Sequence, residues 1–243
     1  MRRSMAARAM TRIWLKLSVY DIIPAYDYVQ NIVENKLHEY IKVAHTDIRG
    51  ICIVGGYLGK EIPRLLRRYS NARIVVYEPS ERYAGLIASR FSAQPRVDVR
   101  RRAVSSTAGE ATFFETNLKG SGSLLEVGPL AVKSYGAKQA ERFTVPTVTL
   151  DDDLDLDLID CLWIDVQGAE LMVLEGAKGV LARTRSIFVE IAMLPDLYKD
   201  GATQAKLTAY LASHGFELAA LGLDTVNLTG NAFFIRSPLG ERG

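Results

Sequence analysis

The chain has 243 residues, of which 48% are hydrophobic and 24% charged, and its formal net charge is +2. That length buries a substantial core, and the composition is that of an ordinary globular protein rather than a disordered one. So small a charge argues against a nucleic-acid partner, whose binders carry a concentrated basic patch, and no apolar run approaches the ~18 residues of a membrane span.

The first 20 residues carry Arg2, Arg3, Arg8, Arg12 and Lys16 and no acid. They read as a frayed or loosely docked basic helix, with a targeting segment or a membrane-surface helix as the alternatives. No signal-peptide core follows the arginines, so the expected location is the cytoplasm. Over residues 20–46, Val29, Ile32, Val33, Leu37, Tyr40 and Ile41 recur at helix spacing, with Pro24 near the start. Residues 1–46 are therefore expected to be a helical extension, and residues 47–243 the main domain.

After Asp47, short apolar runs alternate with amphipathic stretches. Ile51–Val54 predicts a strand, then a glycine turn, then a helix carrying Ile62, Leu65, Leu66 and Tyr69. Arg73–Tyr77 predicts a second strand, residues 80–92 a helix, and Val97–Arg100 a shorter strand. Residues 104–149 differ in texture: Ala111–Glu115 and Phe143–Thr149 read as strands around a Gly/Ser loop at Gly120–Ser123. The alternation returns with a strand at Cys161–Asp165, a helix over 169–182, a strand at Ser186–Ile191 and a helix over 202–214. Phe216–Leu221 and Asn231–Ile235 close the chain as an antiparallel pair. Apolar strands alternating with helices predict an α/β fold, a mostly parallel doubly wound sheet with one antiparallel edge strand.

Cys52 and Cys161 lie inside apolar runs and read as small buried hydrophobes; a disulfide would require their strands to be neighbours. His38, His45 and His214 are scattered, so no metal site is expected.

Ligands of open parallel sheets bind beyond the carboxyl ends of the strands. The turn there is Gly55-Gly56-Tyr57-Leu58-Gly59, and the next helix should begin at it, presenting free amides to the pocket. The second strand ends 19 residues after Gly59, at Glu78, a spacing at which an acid accepts hydrogen bonds from a ribose. The bland alternative is a tight turn beside a solvated strand end. Because the turn reads Gly-Gly-x-x-Gly rather than Gly-x-Gly-x-x-Gly, it disfavours a nicotinamide or flavin dinucleotide and leaves S-adenosylmethionine ahead.

The most specific stretch contains Thr149-Leu150-Asp151-Asp152, Ile164-Asp165-Val166-Gln167-Gly168-Ala169-Glu170, Leu174-Glu175-Gly176-Ala177 and Phe188-Val189-Glu190. Together with Ala103-Val104-Ser105 and Asn231-Ala232-Phe233-Phe234, it resembles the FkbM family of methyltransferases over roughly residues 50–236. The resemblance implies the Rossmann-like class I methyltransferase fold and S-adenosyl-L-methionine as cofactor. It also implies methylation of a hydroxyl on a sugar, a glycan or a polyketide-type product. One departure stands out. The family pattern Asp-Val-Gly-Ala-Asn-x-Gly, whose acid helps hold the cofactor's methionine part, here has Ile53 in place of the acid and Gly56-Tyr57 in place of Ala-Asn. That change weakens cofactor binding, moves the task to another residue, or marks a non-catalytic relative that binds an adenosine ligand or a partner through the same sheet.

An alcohol attacks a sulfonium methyl only if a base takes its proton. Asp165 is the expected base or acceptor positioner, with capping of the following helix as its structural alternative. Gln167 and Glu190 are weaker candidates at the same edge. Glu170 suits a first helical turn, and Trp163 reads as core. Gly55, Gly56, Tyr57, Gly59 and Glu78 are the expected cofactor contacts, with Asp98 a looser candidate near the adenine.

Overall fold

Residues of opposite parity on the first strand face opposite sides of a central sheet, and both sides are covered. A computed structural model describes Glu39, residues 47–224 and residues 229–237. The expected helix over 20–46 and the basic segment before it lie outside those residues, Glu39 apart. No helix among the described residues is long and apolar enough to cross a membrane.

The chain runs β1 (Gly50–Val54), α1 (Ile62–Arg68), β2 (Arg73–Tyr77), α2 (Glu81–Arg90) and β3 (Val97–Arg100). Then follow β4 (Ala103–Val104), β5 (Gly109–Thr116), α3 (Pro129–Tyr135), β6 (Gln139–Val148) and α4 (Leu150–Asp153). The last third comprises β7 (Cys161–Ile164), α5 (Glu170–Glu175), α6 (Lys178–Ala182), β8 (Ser186–Ala192), α7 (Gln204–Ser213), β9 (Phe216–Asp224) and β10 (Thr229–Arg236).

The seven-stranded sheet has the order β3-β2-β1-β7-β8-β10-β9. Its first five strands are parallel, and β10 runs antiparallel to both β8 and β9. This is the expected doubly wound, Rossmann-like sheet. The reversed strand, expected at the edge, sits one place inward: Ala232, Phe233 and Phe234 are fully buried, so β10 is the more apolar of the closing pair and takes the inner position.

Cys52, Val54, Leu162 and Ile164 point into one core with Val173, Leu174, Leu207 and Leu211 from the helices α5 and α7. Ile51, Ile53, Cys161 and Trp163 point into the other, beneath Ile62, Leu65 and Ile87 of α1 and α2. Each fully buried aliphatic side chain contributes about 1.5–3 kcal/mol. Although β1 and β7 are neighbours, Cys52 and Cys161 therefore face away from one another, and both thiols are free and buried. At the amino end of the sheet the buried Asp160 accepts hydrogen bonds from the amides of Arg49 (2.7 Å) and Gly50 (3.0 Å) and pairs with Arg185 (2.7 Å). That clamp sets the register of β1 against β7.

Residues 104–149 form a second sheet of three strands in the order β4-β6-β5, joined to the first through the short β4. The helix α3 was not expected. The expected single helix over 169–182 is two, broken at Gly176, where a Cβ would stand 2.1 Å from the carbonyl oxygen of Ser105. The second piece has its own cap: Asp151 accepts from the amides of Gly179 (3.0 Å) and Val180 (2.8 Å). Thr149 in turn caps α4 by accepting from the Asp152 amide at 3.1 Å. The Thr-Leu-Asp-Asp segment is thus occupied in joining the two sheets to the helices behind them.

Candidate active site

A cavity of about 870 Å³ opens at the carboxyl ends of β1, β2 and β7, with the small sheet and the segment Leu118–Leu124 on its far side. Its position is the point where the strand order reverses, β2 lying on one side of β1 and β7 on the other.

The glycine turn forms one wall. Gly55 has φ +93°, and a Cβ there would lie 1.8 Å from the carbonyl oxygen of Asp165, so only glycine allows these two neighbouring strand ends to approach so closely. The amides of Gly55 and Gly56 both donate to the carbonyl of Tyr77, at 2.9 and 3.1 Å. Tyr57 has φ +42°, an uncommon conformation for a bulky residue. Its amide donates to Oε2 of Glu78 at 2.7 Å, and its ring packs edge-on to Tyr83 with centroids 4.6 Å apart. The helix α1 begins at Ile62, after Lys60 and Glu61, rather than at the turn itself.

Glu78 lines the cavity and is only 5% exposed. Its Oε1 accepts from the Ser80 amide at 2.8 Å. Burial pushes its carboxyl up to about 7, against the opposing pull of the Ser80 and Tyr57 amides. Glu115 comes from the other sheet and accepts from the Ser80 hydroxyl at 3.0 Å. Gly55, Gly56, Tyr57 and Glu78 therefore line the cavity together, whereas Gly59, expected with them, is buried against Ile62, Ile87 and Phe91 and lies outside the lining. Asp98 stands apart on β3, outside the cavity lining, where it pairs with Arg100 (2.8 Å) and Arg73 (3.2 Å).

Asp165 follows β7, beside the glycine turn, and lines the cavity with Gln167. It caps no helix: its Oδ1 accepts from Nε2 of Gln167 at 2.7 Å. The same amide nitrogen donates to Oε2 of Glu190, which lies behind it on β8. Burial raises the Asp165 carboxyl, while hydrogen bonds from Glu190 and Gln167 favour its charged form. Gln167 has φ +57°, a strained setting that the surroundings must hold. They do so from two sides. Glu170 accepts from the amides of Gly168 (3.0 Å) and Val166 (3.3 Å) and is pushed up to about 7 by burial. Tyr198 Oη lies 3.0 Å from Oε1 of Gln167 and 3.2 Å from the carbonyl of Ser121, so its one proton serves either acceptor. Gly168 gives Tyr198 its seat, since a Cβ there would come within 2.8 Å of that side chain.

Sequence reasoning missed Tyr198, Glu115 and the Tyr57–Tyr83 pair. Nothing local marks them, because each reaches the site across long chain separations. Chemically, the cavity combines an acid at the end of β2 suited to a diol, buried carboxyls that favour a nearby cation, and an acid held by an amide at the end of β7.

A family profile described as Methyltransferase FkbM domain matches residues 54–218. A curated relative, the 2-O-methyltransferase NoeI of Sinorhizobium fredii (strain NBRC 101917 / NGR234), is 29% identical over 142 residues, 54% of this chain. The chain spans only 58% of that relative's length. Among solved structures, magnesium protoporphyrin IX methyltransferase from Synechocystis PCC 6803 with bound SAM aligns at 14% identity and a TM-score of 0.48, covering 86% of this chain and 79% of the other. Precorrin-6y C5,15-methyltransferase from Geobacter metallireducens GS-15 aligns at 14% identity and a TM-score of 0.47, covering 90% and 96%.

Proposed function

The chain belongs to the FkbM family of S-adenosylmethionine-dependent methyltransferases, and from that premise we propose that it methylates a hydroxyl of a sugar or glycan. The residues present suit the cofactor. Gly55 and Gly56 place bare backbone at the cavity, Glu78 offers a buried carboxylate to ribose hydroxyls, and Asp165 and Glu115 favour a sulfonium charge. When bound, the cofactor supplies the electrophilic methyl group.

The observation that carries the proposal is the Asp165–Gln167–Glu190 constellation. Asp165 faces the cavity and accepts the acceptor's hydroxyl proton as the oxygen attacks. Gln167 fixes the orientation of Asp165, and Glu190 holds Gln167 from behind. Burial makes Asp165 a stronger proton acceptor than an exposed aspartate. Thr116, Lys119 and Glu141 also line the cavity and offer both donors and acceptors, which suits a polyol. The name of the relative NoeI, a 2-O-methyltransferase, supports a hydroxyl acceptor.

The test is transfer of labelled methyl from S-adenosylmethionine into glycan, glycolipid and polyketide fractions. Asp165→Asn should lower turnover about 10²–10⁴-fold with affinity for S-adenosylhomocysteine within a few-fold of the parent. Unchanged turnover in that variant would remove Asp165 from its role. Label appearing only in polyketides would overturn the sugar assignment, and binding without transfer to any hydroxyl would mark a non-catalytic relative.

A further inference from the structure

Ile53 stands where the family pattern has an acid. The side chain at this position does not reach the cavity: it is fully buried and lies in the apolar layer beneath α1, together with Ile62, Trp163 and Phe188. A carboxylate there would be shut in with isoleucine and aromatic rings, at a cost of several kcal/mol unless paired. Immediately beyond the turn the chain presents three charged side chains to the cavity, Lys60, Glu61 and Arg64. Lys60 is exposed, while Glu61 and Arg64 are half-buried. They line the cavity directly after Gly55 and Gly56, the turn that precedes them in the chain.

The amino-acid end of S-adenosylmethionine is a zwitterion, an ammonium and a carboxylate on one carbon. A single acid flanked by two cations complements both groups. We propose that Glu61 replaces the acid missing at position 53 as the partner of the cofactor's ammonium, and that Lys60 and Arg64 receive its carboxylate. The Ile53 departure is then a relocation of the methionine subsite from the strand end to the start of α1, and the chain is not degenerate. The inference rests on the cofactor assignment made above.

The experiment is calorimetry on the full chain with S-adenosylhomocysteine, which carries the zwitterion, and 5′-methylthioadenosine, which lacks it. Glu61→Gln should weaken S-adenosylhomocysteine at least ten-fold and leave methylthioadenosine within two-fold, because only the first ligand carries the ammonium. In a Lys60→Met/Arg64→Met variant, S-adenosylmethionine should lose its advantage over decarboxylated S-adenosylmethionine. An equal loss for both ligands in Glu61→Gln would assign Glu61 to the shape of the turn and overturn the proposal, as would no loss at all. If the unaltered chain binds neither ligand, the cofactor assignment falls together with the proposal. Failure of the subsite alone leaves the parent's binding intact and is told apart on that ground.

Discussion

The backbone amide of Tyr57 donates to Oε2 of Glu78 at 2.7 Å, tying the glycine turn to the end of the neighbouring strand. The acid that is placed to meet a ribose is therefore also the acid that holds the turn, and its protonation touches both tasks. Burial pushes the Glu78 carboxyl up to about 7. Below that pH it carries a proton and loses acceptor capacity; above it the carboxylate accepts from both hydroxyls of a diol. Affinity for S-adenosylhomocysteine should rise between pH 6 and pH 8. Calorimetry across that range checks it, and in Glu78→Gln the affinity should be at least ten-fold lower and flat with pH. A parent whose affinity is level from pH 6 to 8 would contradict the assignment.

Tyr198 acts through Gln167, so its loss should be felt in turnover rather than in cofactor binding. Burial raises the phenol and keeps it protonated as a donor. Tyr198→Phe removes a hydrogen bond to a strained residue and frees the amide to turn away from Asp165. The expected result is a kcat lowered roughly ten-fold, equivalent to about 1.4 kcal/mol, with KM for the cofactor within two-fold. A rise in KM without a change in kcat would place Tyr198 in binding instead.

Glu170 offers a stability measurement independent of any substrate. Its carboxyl stands near 4.5 ordinarily and about 7 when folded. As pH rises through that interval, the unfolded chain has given up the proton while the folded chain still holds it, so the group withdraws stability across the window. Below about 4.5 both states are protonated, and above about 7 both are ionised. Glu170→Gln keeps an acceptor for the amides of Gly168 and Val166 and abolishes the titration. Urea denaturation of the two proteins should show the parent losing ground to the variant between pH 4.5 and 7, then running parallel. Parallel curves throughout would show that Glu170 does not titrate there.

Gly55→Ala tests whether the ends of β1 and β7 must lie so close. The residue would be held at φ +93° with its Cβ 1.8 Å from a carbonyl oxygen. Strain of about 1–2 kcal/mol adds to overpacking of about 1–3 kcal/mol, and cofactor binding should be lost with it. A variant within about 1 kcal/mol of the parent in denaturant, near the median effect of any substitution, would mean that the two ends part freely.

Much of this architecture could be read from the chain because its signals are local. Buried parallel strands such as Ile51–Val54 and Cys161–Ile164 appear as unbroken apolar runs, and the spacing from Gly59 to Glu78 follows from one helix and one strand. What escaped depends on distant partners. The break at Gly176 exists because Ser105 approaches it, and the inward place of β10 depends on which closing strand is more apolar. The helix α3 had a local signature, Pro129 at its start and Gly136 in the left-handed conformation after its end, masked by the polar loop around it. At the site, Asp165, Gln167 and Glu190 come together because β7 and β8 are neighbours, whereas Asp98 faces a cluster of arginines on another part of the surface. Only the fold separates those two outcomes for residues of the same type.

The opposed placement of the two cysteines makes the sheet its own reporter. Cys52 is reached only if the layer carrying α5 and α7 lifts, and Cys161 only if the layer carrying α1 and α2 does. Thiol labelling under native conditions therefore times two separate openings, one on each side of a single sheet. A ligand seated against the turn before α1 would slow the Cys161 clock first, and so announce its arrival without any chemistry taking place.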